Sequence, residues 1–552
     1  MTGTRLPPGD ADYLMQTVEA ARISILKYHQ FPWWNPWVSG GVPLFANPQF
    51  GLLSLPTLLG IFFGSVIGFK LAITAYFLLG FYSLLLLFRR SFKTPRLTAI
   101  LLAYIWTFGT FLTYRSLGHY TFLTIQFLPL MLHFYLSRKS YRYSWLYLGI
   151  SAGLAAHAAA HNMTILSYIV IALFIIMDIA KITYINMKGS LSASIEVHKD
   201  ELRYLLKAGI VFVLLTAYRL YFTLAYLGDY PRSQSDNPEP TLGIAKALFA
   251  IAGPLRQFSN QPKHPQWSWM EASAYIGIAT ALAAVLVGYI LWNKRKKWSP
   301  DFAYNPFKVI VLGSVCFILG LGNFMGDLSP YILLRHLPIL SSMRVASRWL
   351  VFSSLLVLVF IALYKGKKYR TTLNVLLSLS VIELFIISRP QLSKPYLFPI
   401  SYENSGHGFQ QKLQYDTKRG GVEYDENLTN ATINNYGQII AGDSLVDTRP
   451  GTQYEIHTQR CSIDSGCDFV LTGNATVAQW TPNKITLQRS NKGDILLNMN
   501  PGSCWLVNDV YTFRTAKDTE PDRQFRISDP SDSITLKCIP RLSIDWIINK
   551  AL

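Results

Sequence analysis

Charge is scarce in this 552-residue chain: Asp, Glu, Lys and Arg make up 15% of it, while 50% is hydrophobic. That balance excludes a solvated, disordered chain and points to a membrane protein. Acids are the scarcer sign, 32 against 51 Lys plus Arg. The chain holds no Gly-rich phosphate loop, no Ser-His-Asp arrangement and no zinc-ligand spacing, which argues against an ATP-driven pump or an outer-face hydrolase. It also lacks internal repeats and low-complexity tracts. Residues 1–50 carry no signal-peptide core and no span that could take the N-terminus across a membrane. Either a short N-terminal tail translocates unaided or, as this reading expects, a first transmembrane helix belongs ahead of Met1.

What the chain has is apolar runs. Segments near 66–88, 97–114, 120–137, 143–160, 164–180, 207–227, 272–292, 307–325, 349–364 and 372–388 are candidates to cross roughly 30 Å of hydrocarbon. Residues 51–63 are shorter and hold Pro56, which suits an interfacial or re-entrant helix. The fold class expected is a mainly α polytopic membrane protein, about ten transmembrane helices, with a C-terminal extracytoplasmic β-rich domain. The parts are 1–65, an outer-face loop with an amphipathic helix from Tyr13 to Tyr28; 66–388, the membrane domain; and 389–552, the soluble domain. The formal charge of +19 is distributed by topology. Arg89 to Arg96, Arg138 to Arg142, Lys181 to Lys207, Lys294 to Lys297 and Lys365 to Arg370 fall between alternate spans, the positive-inside pattern of a cytoplasmic face. No groove-reading motif accompanies them, so no nucleic-acid partner is expected.

Of five cysteines, Cys316 lies in an apolar run, while Cys461, Cys467, Cys504 and Cys538 all fall in the C-terminal region. An even count there fits an oxidising compartment, with Cys461–Cys467 and Cys504–Cys538 as candidate disulfides and four free thiols as the alternative. Sequons at Asn427, Asn430 and Asn474 permit glycosylation. The alternating runs Lys484–Gln488 and Asp494–Asn498, separated by Asn491-Lys-Gly493, read as a β-hairpin.

The stretch His29 to Gln49 is dense in Trp, Pro and Gly, so it cannot be a regular helix. Trp favours a lipid–water boundary, and the stretch reads as a rigid loop on a membrane face that shapes a site or anchors to lipid. Acidic Gly9-Asp10, the helix, Phe31-Pro-Trp-Trp-Asn-Pro-Trp37, Gly40-Gly41-Val-Pro-Leu and Ala46-Asn-Pro-Gln49 together resemble the first outer loop of YfhO-like bacterial membrane proteins. Gly118-His119, Arg344-Val-Ala-Ser-Arg348 and Gly502-Ser-Cys-Trp505 extend the resemblance over most of the chain. It implies an architecture similar to the GT-C glycosyltransferases, which use polyprenyl-phosphate-linked sugars, and a further helix on either side of the present chain. Trp33-Trp34-Asn35 lacks the acid that opens the oligosaccharyltransferase signature, which argues against peptide glycosylation.

On that resemblance Asp10 is the candidate general base, since a sugar hydroxyl attacking an anomeric carbon needs a proton acceptor. Asp10-Ala-Asp12 also has the spacing for a shared divalent cation; the bland reading is a pair of helix caps. Arg344 and Arg348, four apart, suit a phosphate leaving group, or else interfacial anchoring. His119 is a candidate to donate a hydrogen bond to the same phosphate, with a hydrogen-bonded packing role as the favoured alternative, and Trp33, Trp34, Asn35 and Asn47 are candidates to shape the sugar site. Asp229 and Glu271 are the remaining acids near the outer surface. The expected function is transfer of a sugar from a polyprenyl-phosphate donor, in contact with membrane lipid, to an extracytoplasmic glycan or lipid. The alternative is a non-catalytic transporter or scaffold for lipid-linked glycans. Few charges inside the spans tilt the reading toward the enzyme.

Overall fold

The computed structural model describes residues 5–6, 10–116, 119–158, 162–186, 191–229, 244–252, 273–293, 305–337, 340–343, 345–392, 398–399, 409–412, 428–438, 461–462, 466–500, 502–511 and 525–543. Its helices begin with α1 (Asp10–Leu26), α2 (Leu55–Phe63), α3 (Ser65–Leu86), α4 (Arg96–Thr107) and α5 (Thr110–Arg115). Then come α6 (Leu128–Leu136), α7 (Ser144–Ala158), α8 (Asn162–Asn186), α9 (Leu191–Asp229), α10 (Ile244–Ala252) and α11 (Ile278–Asn293). The series ends with α12 (Pro306–Gly320), α13 (Pro330–Arg335), α14 (Trp349–Ala362), α15 (Arg370–Leu392) and α16 (Leu428–Ile433).

Among the described residues, three stretches are long and apolar enough to cross a membrane: Ser65–Ser91, Lys199–Leu227 and Arg370–Arg389. Other apolar helices among the described residues are shorter, and the reasons are local. Gly109 divides the expected 97–114 segment into α4 and α5. The 120–137 segment opens with eight residues of 3-10 helix, Tyr120–Phe127, before α6. Pro129, in the first turn of α6, has no amide to continue an α-ladder back through that turn.

The chain forms two compact units. One comprises Met1–Ala72, Ala217–Ser233 and Pro395–Leu552, so it joins the N-terminal loop to the C-terminal β-region. Its β-region has a five-stranded sheet in the order Ala475–Thr481, Lys484–Arg489, Ser533–Cys538, Trp505–Val507, Val510–Tyr511. Ile485 and Leu487 point inward while their neighbours are more exposed, the period-2 pattern of a half-buried strand. The expected hairpin is corrected here. Lys484–Arg489 pairs across the two-residue link Pro482-Asn483 with Ala475–Thr481, whereas Ile495–Leu497 pairs with Phe525–Ile527 and Val470–Thr472 in another sheet. Asn491-Lys-Gly493 is a crossover between sheets.

Cys504 and Cys538 form a disulfide, with Cα atoms 4.7 Å apart across 34 residues, where Trp505 and Cys538 are register partners. Cys461 and Cys467 are backbone register partners in a short strand pair; their side chains lie outside the described residues. Mass mapping of protein alkylated before denaturation is expected to find Cys504 linked to Cys538. Reducing that bond should lower stability by about 2–4 kcal/mol; free thiols at both positions in the native protein would refute it. The sequon at Asn430 is buried in α16 and closed to glycan, while Asn474 is exposed.

The second unit comprises Ile73–Thr216 and Gln234–Lys394. Gly149 and Gly153 on α7 let α9 pack against it. A Cβ at Gly149 would stand 2.6 Å from the Ala208 carbonyl oxygen, and one at Gly153 would stand 2.9 Å from Leu215. Small residues that admit a neighbouring backbone are how apolar helices associate in lipid. A buried charge cluster joins α8, α9 and α12 of this unit to the turn after α6. Lys308 Nζ meets Asp178 Oδ1 at 2.5 Å, Arg138 Nε meets Glu201 Oε2 at 2.8 Å, and Arg138 stands 3.6 Å from Asp178. The apolar segments thus hold more charge than their hydropathy suggests, and in this cluster two acids balance two bases.

Candidate functional site

In the first unit the residues of the outer loop serve the loop's own fold. Trp34-Asn35 pairs with Val42-Pro43, and the turn between them carries Ser39, Gly40 and Gly41 at positive φ. A Cβ on Gly41 would lie 2.6 Å from the Trp34 indole nitrogen, so only glycine lets that ring fold over the turn. Asn500 donates to the carbonyls of Ser39 (2.5 Å) and Gly41 (2.9 Å), and Asn483 donates to that of Phe31 (2.6 Å). Trp33, Trp34 and Trp37 are buried, with Trp34 edge-on to Trp505 and Trp33 packed on Phe45 and Phe222. Trp33 and Trp34 are thus core residues, 4% and 1% exposed, whose faces are covered by protein. Asn35 exchanges hydrogen bonds with Gln16, and Asn47 donates to Tyr13 and accepts from the Gln49 amide. Both are buried and both hold α1 to the loop.

The helix expected from Tyr13 begins at Asp10, and its residues 11–21 are buried. One contact along it is made by Asp12. Its carboxylate accepts from the amides of Leu428 (2.7 Å) and Thr429 (3.3 Å) and from the Thr429 hydroxyl (2.6 Å), capping α16 from outside. Both oxygens are engaged in this cap, which seats α16 on α1. The Asp10 side chain lies outside the described residues, as do Arg344, Glu271 and the side chain of Asp229. Among the described residues no three His, Cys, Asp or Glu side chains gather as a metal site.

In the second unit, sequence-distant basic residues meet around Phe122. α5 follows the Gly109 break and is pinned by Thr110, whose hydroxyl accepts from the Tyr275 amide at 3.0 Å. This places Arg115, only 2% exposed, with its guanidinium carbon 4.2 Å from the Phe122 ring centre and 5.7 Å from that of Phe111. Arg348 approaches the same ring at 4.8 Å, and the His119 ring lies 5.6 Å from it. Each cation–π contact is worth roughly 0.5–2 kcal/mol. Two guanidiniums and an imidazole are thus gathered on one aromatic ring. Arg348 and His119 were expected from sequence to share a ligand; Arg115 was missed. One more acid was missed: Glu383 on α15 accepts from the Tyr275 hydroxyl and from the Ile278 amide at 3.0 Å, capping α11. Gly277 at φ +94° makes room for that carboxylate, since a Cβ there would lie 3.2 Å from it.

Neither a scan of protein-family models nor a search of curated proteins finds a match to this chain.

Proposed function

We propose that this chain is an integral-membrane protein of GT-C type that binds a polyprenyl-phosphate-linked sugar and transfers the sugar to an extracytoplasmic glycan or lipid. The observation that carries this reading is the meeting of Arg115, Arg348 and His119 around Phe122. Guanidinium forks match phosphate oxygens and keep their charge at any physiological pH. In the proposed step an acceptor hydroxyl attacks the anomeric carbon, the bond from that carbon to the phosphate oxygen breaks, and the phosphate leaves with the electron pair. Arg115 and Arg348 stabilise the departing charge. The acceptor's proton passes to a base, a role that the resemblance alone assigns to Asp10, as it alone assigns Arg344 to the phosphate. The charge clusters support a cytoplasmic face for the loops they occupy and the opposite face for residues 389–552.

The test is binding and turnover of labelled polyprenyl-phosphate sugars by the purified protein in lipid nanodiscs. Arg115→Ala and Arg348→Ala are each expected to weaken binding by about 10- to 100-fold, the worth of one charge-assisted hydrogen-bonding partner. Asp10→Asn should keep binding and lose turnover. Unchanged binding in both arginine variants would remove the phosphate site. Binding with no transfer by the unaltered protein would favour the transporter or scaffold.

A further inference from the structure

The first unit contains a second concavity, formed between the C-terminal half of α1 and the end of α16. Glu19 and Arg22 form its polar core, joined by two hydrogen bonds of 2.6 and 2.8 Å. Lys27 and Asn435 also contribute polar groups, and Ile23, Leu26 and Ile433 supply apolar wall. Its volume is about 240 Å³, a little under the roughly 300 Å³ at which small-ligand pockets begin. That is room for a sugar ring and too little for a folded peptide segment.

We propose that this groove is a carbohydrate subsite, binding a neutral hexopyranose unit through its vicinal hydroxyls. The Glu19–Arg22 pair neutralises itself and the Lys27 ammonium lies over the Tyr28 ring at 5.3 Å, so a neutral sugar meets no unanswered carboxylate there. Each carboxylate oxygen bonded to Arg22 keeps a second lone pair for a hydroxyl donor. Asn435 adds a directed donor. Its Oδ1 is taken by the Trp37 indole at 3.1 Å, and its backbone is held by the Gln410 amide in a left-handed turn at φ +61°. With Oδ1 engaged by Trp37, the NH2 group is the donor that Asn435 brings to the groove's lining. Leu26, 47% exposed beside these charges, offers the apolar contact that the C–H face of a pyranose takes. As the seat of the acceptor glycan the groove rests on the glycosyl-transfer reading; as a sugar-binding site it does not.

The test is titration of the full-length protein with glucose, N-acetylglucosamine and rhamnose trimers, read by saturation-transfer NMR and calorimetry. At least one trimer is expected to bind at millimolar concentration or below. Asn435→Asp, which keeps the acceptor for Trp37 and removes the donor, should weaken it at least tenfold, and so should Glu19→Gln. Ile433→Trp, which fills the groove without touching the ion pair, should abolish binding while the melting temperature holds; it guards against a fold defect in the Glu19 variant. No binding of any trimer, or equal binding by all three variants, would overturn the subsite. If trimers fail while the polyprenyl-phosphate donor still binds through Arg115, the subsite alone falls. If trimers bind and the donor does not, the subsite stands and the transferase reading falls.

Discussion

Lys308→Met is expected to destabilise the protein by about 3–5 kcal/mol, because it strands a buried charge. Lys308 is fully buried and Asp178 nearly so, at 0% and 4% side-chain exposure. Removing the ammonium leaves Asp178 and Glu201 facing Arg138 alone, a net negative charge in a medium that solvates it poorly. The paired replacement Lys308→Met with Asp178→Leu should recover most of the loss, since the remaining Arg138–Glu201 pair is neutral. Denaturation midpoints of the purified single and double variants in one detergent would decide it. A double variant no more stable than the single would mean that the cluster's worth lies in packing, for example of the Lys308 ammonium on the Phe174 ring 3.3 Å away.

Asp12→Ala is expected to cost about 3 kcal/mol or more, since two buried amides and a hydroxyl each lose an acceptor at roughly 1–3 kcal/mol apiece. The loss should be local as well as global. Hydrogen exchange at the amides of residues 428–433 should speed up well before the rest of the β-region responds. Asp12→Asn keeps one acceptor oxygen and should cost less, about 1–2 kcal/mol. Asp10→Asn should leave the 428–433 amides protected and act on turnover. If Asp12→Ala left those amides unchanged, the cap would not be what seats α16.

Short-range chemistry was legible in the sequence. The apolar runs follow from residue type, and Cys504–Cys538 was among the candidate pairings, although spacing alone did not fix it. What was not legible depended on partners far along the chain. A Trp-, Pro- and Gly-rich loop suits a lipid boundary and a protein core equally well. Asn483, Asn500 and Trp505, more than 400 residues on, decide for the core. Arg115 was passed over because a hydropathy average absorbs one cation among Thr, Phe, Leu and Tyr. Arg219 on α9 was hidden in the same way, yet it donates to the Phe50 carbonyl and helps anchor the loop. Glu383 sits within Val-Ile-Glu-Leu-Phe, and such an isolated acid in an apolar run was the available clue.

The seating of α16 on Asp12 also bears on the order in which the protein is made. The contact spans 416 residues, so at about 5–20 residues per second Asp12 leaves the ribosome roughly 20–80 s before the helix it caps. During that interval Trp33, Trp34 and Trp37 have none of the C-terminal surfaces that later cover them. A nascent chain arrested anywhere before residue 428 would therefore display an aromatic segment with no native cover. Such a chain is a natural client for a membrane-associated chaperone or protease, and quality control of this protein would turn on whether its last quarter has arrived.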